Sequence, residues 1–176
     1  QSFGLLVEGK IAAQKKDGSY TYVDENFQVL FGDYDYASTF NNGVAAVKTG
    51  ENWQLINSEG QPVSGETYTD IKLDEKEIAF RNGRAFVALE DGSYIMVDES
   101  GKQVGSLKFE DAQVFSSEAP AAVKTDGKWQ FIDENGVYIS DNTYEEARSF
   151  ANELAAVCVN GKWGFVDMQE TVVIEQ

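Results

Sequence analysis

The sequence predicts an all-β fold: tandem antiparallel β-hairpin repeats of about 35 residues forming a solenoid-like array. Three observations predict it. An aromatic anchor returns at Tyr20, Trp53, Tyr94, Trp129 and Trp163, spaced 33, 41, 35 and 34 residues apart. Before most anchors a polar Asp-Gly or Asn-Gly step separates two short apolar runs, the strongest local hairpin signal. A second motif fills the gaps as "YDYASTF" from Tyr34, "FEDAQVF" from Phe109 and "YEEARSF" from Tyr144, with a degenerate copy, "YTDIKL", from Tyr68.

These repeats divide one domain, 1–176, into five units of approximately 4–40, 41–80, 81–115, 116–150 and 151–176. The long second spacing holds the insertion "IKLDEKEIAF". In each unit the first strand comes from runs such as "LAAVCV". Alanine is a poor strand former, so the recurring Ala pairs imply that a backbone or ring packs close against them. The third unit has Phe86-Val87 there instead, and its packing should differ locally.

The steps at Asp17-Gly18, Asp91-Gly92, Asp126-Gly127 and Asn160-Gly161 read as equivalent turns. In the second strand, the anchor and the residue two positions on share an apolar face, as do Trp129 with Phe131 and Trp163 with Phe165. The residue after that pair is always Val or Ile on the opposite face. A hairpin stacked between neighbours needs this pattern and a free hairpin does not. The strand then ends in "NSEG", "DESG" or "DENG", which fits a type I turn closed by a left-handed glycine.

The anchors therefore read as wedges between units. A buried Trp or Tyr removes about 150–250 Å² from water, worth roughly 4–6 kcal/mol as an upper figure. The alternative closure is a small five-bladed β-propeller. About 40–50 residues per four-stranded blade is the commoner length, which favours the open array. The segment "SFGLLVEGK" is the expected cap of such an array, or the strand that would close a ring.

Composition narrows function. Against 30 acidic residues stand 14 basic ones, a net charge of −16 that repels nucleic-acid phosphates and anionic lipid headgroups. Histidine is absent, which removes His-dependent triads and zinc sites. The one cysteine, Cys158, lies in an apolar run and reads as a buried small hydrophobe. No run approaches the roughly 18 apolar residues of a membrane span, and the first residues lack the basic start of a signal peptide. The abrupt start and end are those of an excerpt or processed product of a longer protein.

"LAAVCVNGKWGFVD", "PAAVKTDGKWQFIDENG" and "YEEARSFANE" resemble bacterial WG-repeat (KWG-repeat) proteins. The resemblance spans almost the whole chain and is sharpest in the last two units. The name-giving Gly follows Trp only at Gly164; Gln54 and Gln130 replace it elsewhere, and two anchors are Tyr. The resemblance implies all-β repeat arrays in bacteria, often exported or appended to other domains. It implies no catalytic residues and no cofactor.

The expected function is a non-enzymatic module for binding or scaffolding, with an unknown protein as partner. The alternative is a cell-wall glycan held by aromatics between repeats. Low-lying surface contacts are Tyr34, Tyr36, Tyr68 and Tyr138, each with partial burial as the competing expectation. A glycosidase would need paired carboxylates such as Glu145 and Glu146, but Glu110 and Asp111 echo them in another unit, so they read as turn residues. Asp133, Glu134 and Asn135 supply too few oxygens for calcium, and turn capping is the simpler reading. Neither metal nor cofactor is expected.

Overall fold

The computed structural model describes residues 3–116 and 120–174. Among these, sixteen strands form five antiparallel sheets in chain order. The first holds β1 (Ile11–Gln14), β2 (Tyr20–Val23) and β3 (Val29–Tyr34). The second holds β4 (Tyr36–Ala37), β5 (Val44–Thr49) and β6 (Asn52–Asn57). The third holds β7 (Asp70–Ile71), β8 (Ala85–Ala88) and β9 (Tyr94–Val97). The fourth holds β10 (Asp111–Ala112), β11 (Ala121–Thr125) and β12 (Lys128–Ile132). The fifth holds β13 (Glu146–Ala147), β14 (Leu154–Val159), β15 (Lys162–Asp167) and β16 (Val172–Ile174).

The five hairpins lie where the sequence places them, but their turns are of three kinds, and the second sheet's two-residue Gly50-Glu51 turn has positive φ at Gly50 alone. Asp126-Gly127 and Asn160-Gly161 have positive φ at both residues, the two-residue turn that matches strand twist. At Asp17-Gly18 and Asp91-Gly92 only the glycine is left-handed, and the loop is longer: Lys15 N–H donates to Ser19 O and Leu89 N–H to Ser93 O. The longer loop shifts the register. Ala85 thus stands where Ala45 does, and Phe86 takes the place of the second alanine, Ala46.

The aromatic–acid motif serves two sheets at once. Its acid–Ala step forms the short inner strand of the following hairpin, as Glu146 and Ala147 pair with Cys158 and Val157. Its first aromatic pairs backward with the preceding anchor: Trp53 with Tyr68, Tyr94 with Phe109, Trp129 with Tyr144. Each sheet is therefore four strands deep, and in sheets two to four the outer strand is thinned to two bridges. That thinning fits a four-stranded unit into about 35 residues, shorter than the length expected for a blade.

A two-residue turn that the sequence reading missed joins the inner strand to the hairpin. At Asn42-Gly43 both residues are left-handed, and Asn41 and Val44 exchange backbone hydrogen bonds at 3.0 and 3.2 Å. "VEGK", "NNGV" and "RNGR" carried the signal.

Each sheet has a front face, bearing the anchor, and a back face. The front of the second sheet (Ala46, Trp53, Leu55) forms one cluster with the back of the third (Ile71, Phe80, Ala85, Val87, Val97). The same contact joins the first to the second, the third to the fourth and the fourth to the fifth. The alanines are small because a neighbouring sheet lies on them. Where Phe86 replaces one, it stacks on Phe115 of the next sheet, with ring centroids 5.6 Å apart.

The ends differ. Ile11, Ala13 and Val23, on the back of the first sheet, are buried with no sheet before them. Phe3 bridges to Ala13 as a short inner strand, and its ring meets Phe27 edge-on at 5.3 Å. Phe27 adopts φ 60°, at the turn position that Gly60, Gly101 and Gly136 hold elsewhere. The N-terminal segment is thus a cap; its first residue, Ser2, lies outside the described residues. Among the described residues the first and fifth sheets share neither a strand pairing nor a core cluster, so the row is open and no five-bladed ring closes.

The anchors are consequently unequal. Trp129 is 4% exposed and Trp163 38%. Trp129→Ala should cost about 3–5 kcal/mol in denaturant unfolding, while Trp163→Ala should cost about 1 kcal/mol or less. Equal losses would contradict the stacking scheme.

Candidate functional site

The front of the fifth sheet is the one front face without a covering sheet. Strand pairing sets Glu146 beside Cys158 beside Trp163, and Ala156 beside Phe165, on one side. Trp163 and Phe165 are 38% and 36% exposed, whereas their counterparts Trp53, Leu55, Tyr94, Met96, Trp129 and Phe131 are all buried. The Arg148 guanidinium lies over the Trp163 ring, 5.7 Å from its centroid.

A cleft of about 630 Å3 opens where the inner strands of the last three sheets converge, lined by Lys72, Arg81, Gln113, Phe115, Ser149 and Phe150 among others. Its polar groups tie the strands together. Lys72 pairs with Asp111 at 2.7 Å, and Arg81 pairs with Asp74. Gln113 donates to Ala147 O at 2.9 Å and accepts from Ser149 N–H at 2.7 Å.

The four tyrosines expected as surface contacts lie mostly under cover. Tyr68 is 4% exposed, with its hydroxyl near Gly101 O. Tyr34 and Tyr36 are half-buried; Tyr36 packs against Trp53 and Tyr20. Tyr138 is half-buried, and its hydroxyl meets that of Thr125 at 3.0 Å. Burial comes first in pushing the Tyr36 and Tyr144 hydroxyls well above the usual tyrosine range, with Glu77 and Glu170 carboxylates adding to it.

The recurring acids have structural employment. Asp35, Glu110 and Glu145 each accept a hydrogen bond from the N–H of the hairpin glycine, at Gly50, Gly127 and Gly161. Asp133 Oδ1 accepts from the N–H groups of Asn135 and Val137, both at 2.9 Å. Asp24, Asn57, Asp98 and Asp167 close the same turn in the other units, and Asp74 closes one in the insertion. Among the described residues no three Cys, Asp or Glu side chains are grouped to hold a metal ion. Nor is any helix long and apolar enough to cross a membrane.

Burial works to raise the Asp133 pKa, but the Val137 N–H and the Asn135 side chain outweigh it, and the carboxyl lies below its usual range. Cys158 is 6% exposed; burial first, then the Glu145 carboxylate 3.8 Å away, pushes the thiol up. The exposed Trp163–Phe165 face was not legible as a site in the sequence, because these residues carry the same pattern as the buried anchors.

A family model described as the WG containing repeat matches residues 20–53, 96–129 and 131–163. The gap between the first two matches contains the insertion. No curated protein matches the chain. The fold is similar to that of Kluyveromyces lactis Hsv2 with complete loop 6CD (TM-score 0.62, 12% identity, covering 94% of this chain and 60% of that one). It is also similar to the computationally designed Ika8 protein (TM-score 0.59, 13% identity, 99% and 60%). A weaker likeness is to the WD40 β-propeller domain of Doa1 (TM-score 0.44, 13% identity, 97% and 66%). The chain thus spans about 60% of the length of the first two.

Two outcomes follow from the turn and thiol chemistry. A carboxyl depressed in the folded state stabilises above its unfolded pKa, and that contribution fades as pH falls through the folded value. Asp133→Asn should keep the turn, as Asn57 does, and lose less stability than the parent chain below about pH 4, read by unfolding midpoints across pH. Cys158 should react with a thiol reagent at least about ten-fold more slowly in the folded chain than in the unfolded one.

Proposed function

The chain belongs to the WG-repeat family, and on that premise we propose that it is a non-enzymatic module that binds or scaffolds another protein. The observation that carries this reading is the uncovered front face of the fifth sheet. Contiguous exposed aromatic surface beside a cation is the usual composition of a protein contact, where Trp, Phe and Arg are enriched. The non-enzymatic part is supported by the acids: the carboxylates that recur in the motif accept hydrogen bonds from turn backbone or pair with lysine. The glycan alternative has less to draw on, since Trp53 and Trp129 are buried between sheets and, of the three tryptophans, Trp163 alone offers an open ring.

Replacing Phe165 by the photo-crosslinker p-benzoylphenylalanine tests this reading in the cells that make the protein. The expected result is a discrete protein adduct, lost when Trp163→Ser is added. Adducts with oligosaccharide alone, or a melting midpoint raised by soluble cell-wall glycans, would replace the proposal with the glycan reading.

A further inference from the structure

We infer that the cleft between the last three sheets takes up an extended peptide segment of a partner, whose main-chain amides hydrogen-bond to Ala112 O and the Val114 N–H. This inference rests on the protein-binding reading above and adds a second contact, one that lies inside the row.

Each inner strand has one edge on its own hairpin and one edge turned away from it. On the fifth sheet the second edge is closed by Gln113 of the fourth. Its side-chain amide donates to Ala147 O at 2.9 Å and accepts from the Ser149 N–H at 2.7 Å. On the second sheet the edge is closed by main chain from the insertion. Glu77 O accepts from the Thr39 N–H at 2.8 Å, Lys76 O accepts from the Thr39 hydroxyl at 3.1 Å, and Thr39 bridges to Ile78 in parallel. Strand edges need such partners, because an N–H or C=O without one is costly unless water reaches it.

The fourth sheet lacks this closure. Its inner strand has the register of the fifth: Ala112 pairs with Val123 as Ala147 does with Val157. Glu110 and Gln113 donate to Lys124 O and Ala122 O, as Glu145 and Arg148 do to Cys158 O and Ala156 O. Ala112 O and the Val114 N–H therefore point toward the third sheet, just as Ala147 O and the Ser149 N–H point toward the fourth. The third sheet's residue in the place of Gln113 is Lys72, which has no amide and pairs with Asp111 at 2.7 Å. Among the described residues no group accepts from the Val114 N–H and no side chain donates to Ala112 O. The Leu73 N–H, at the position equivalent to Val114, is likewise without a partner among them.

Ala112, Val114, Lys72 and Leu73 all line the cleft, whose volume of about 630 Å3 leaves room for several residues of chain. What fits the open C=O and N–H is an amide, the group that closes the fifth sheet and supplies the acceptor for the second. A helix has no such groups to give, since its amides bond within it. An extended peptide presents them along its whole length, which is how an unpaired strand edge recruits a partner.

Random heptapeptides displayed on phage and selected against the full chain test this. Lys72→Gln puts an amide where Gln113 puts its own. Recovered peptides should bind that variant at least about ten-fold more weakly, and its Val114 N–H should exchange with solvent about ten-fold more slowly. Lys72→Met removes the ion pair without supplying an amide, so it should hold the peptides within about three-fold of the parent chain. N-methylation of the contacting peptide amides should cost at least about ten-fold.

A selection that recovers no peptide would overturn the inference. So would peptides indifferent to both Lys72→Gln and N-methylation, or peptides lost only on Trp163→Ser. If the cleft fails while the Phe165 crosslink still captures a protein, the second contact alone falls. If the crosslink fails while the cleft binds, the fifth-sheet contact falls and protein binding belongs to the cleft.

Discussion

The structure depends on one constraint: a sheet of this chain is apolar on both faces and cannot bury either alone. Each front face, led by an aromatic anchor, is dry only when the next back face lies on it. Stability is thus a sum of nearest-neighbour contacts and not the property of one central core. This explains why alanine recurs in strands that ordinarily favour larger residues, and why Trp, Tyr and Leu side chains fill the space between sheets.

Polar chemistry serves the same end. The motif acid holds the hairpin glycine, and the Asp or Asn that closes the second strand caps two backbone N–H groups. Backbone N–H groups that the turns leave without a strand partner are satisfied this way. An acidic surface follows from the architecture, because carboxylates are the acceptors its turns need. The net charge of −16 is in part a by-product of turn construction.

Repetition makes the ends the informative places. A front face in the middle of the row is interior, and the identical face at the end is surface. The N-terminal end carries Phe3 and Phe27 at the two positions where internal units carry Ala or Ile and Gly, and these exposed rings meet edge-on. The C-terminal end keeps the unmodified pattern and displays it. The two ends of the row therefore present different residues, although both expose apolar side chains.

The sequence by itself determined the all-β repeat, the five hairpins, the shared face of Trp129 with Phe131, and the turn role of Asp133. All of these depend on side-chain alternation and turn chemistry within about fifteen residues. It also carried unread signals: "DENF" in place of "DENG" marks the capped end, and the two-residue steps "NNG" and "RNG" mark the turn into each hairpin. Only the tertiary structure decided which sheet the aromatic–acid motif joins, how the longer loops shift Ala85 onto the place of Ala45, and that Trp163 is surface while Trp129 is core. The physical reason is that a residue's burial in this fold depends on whether a neighbouring sheet is there to cover it, and local sequence is the same in either case.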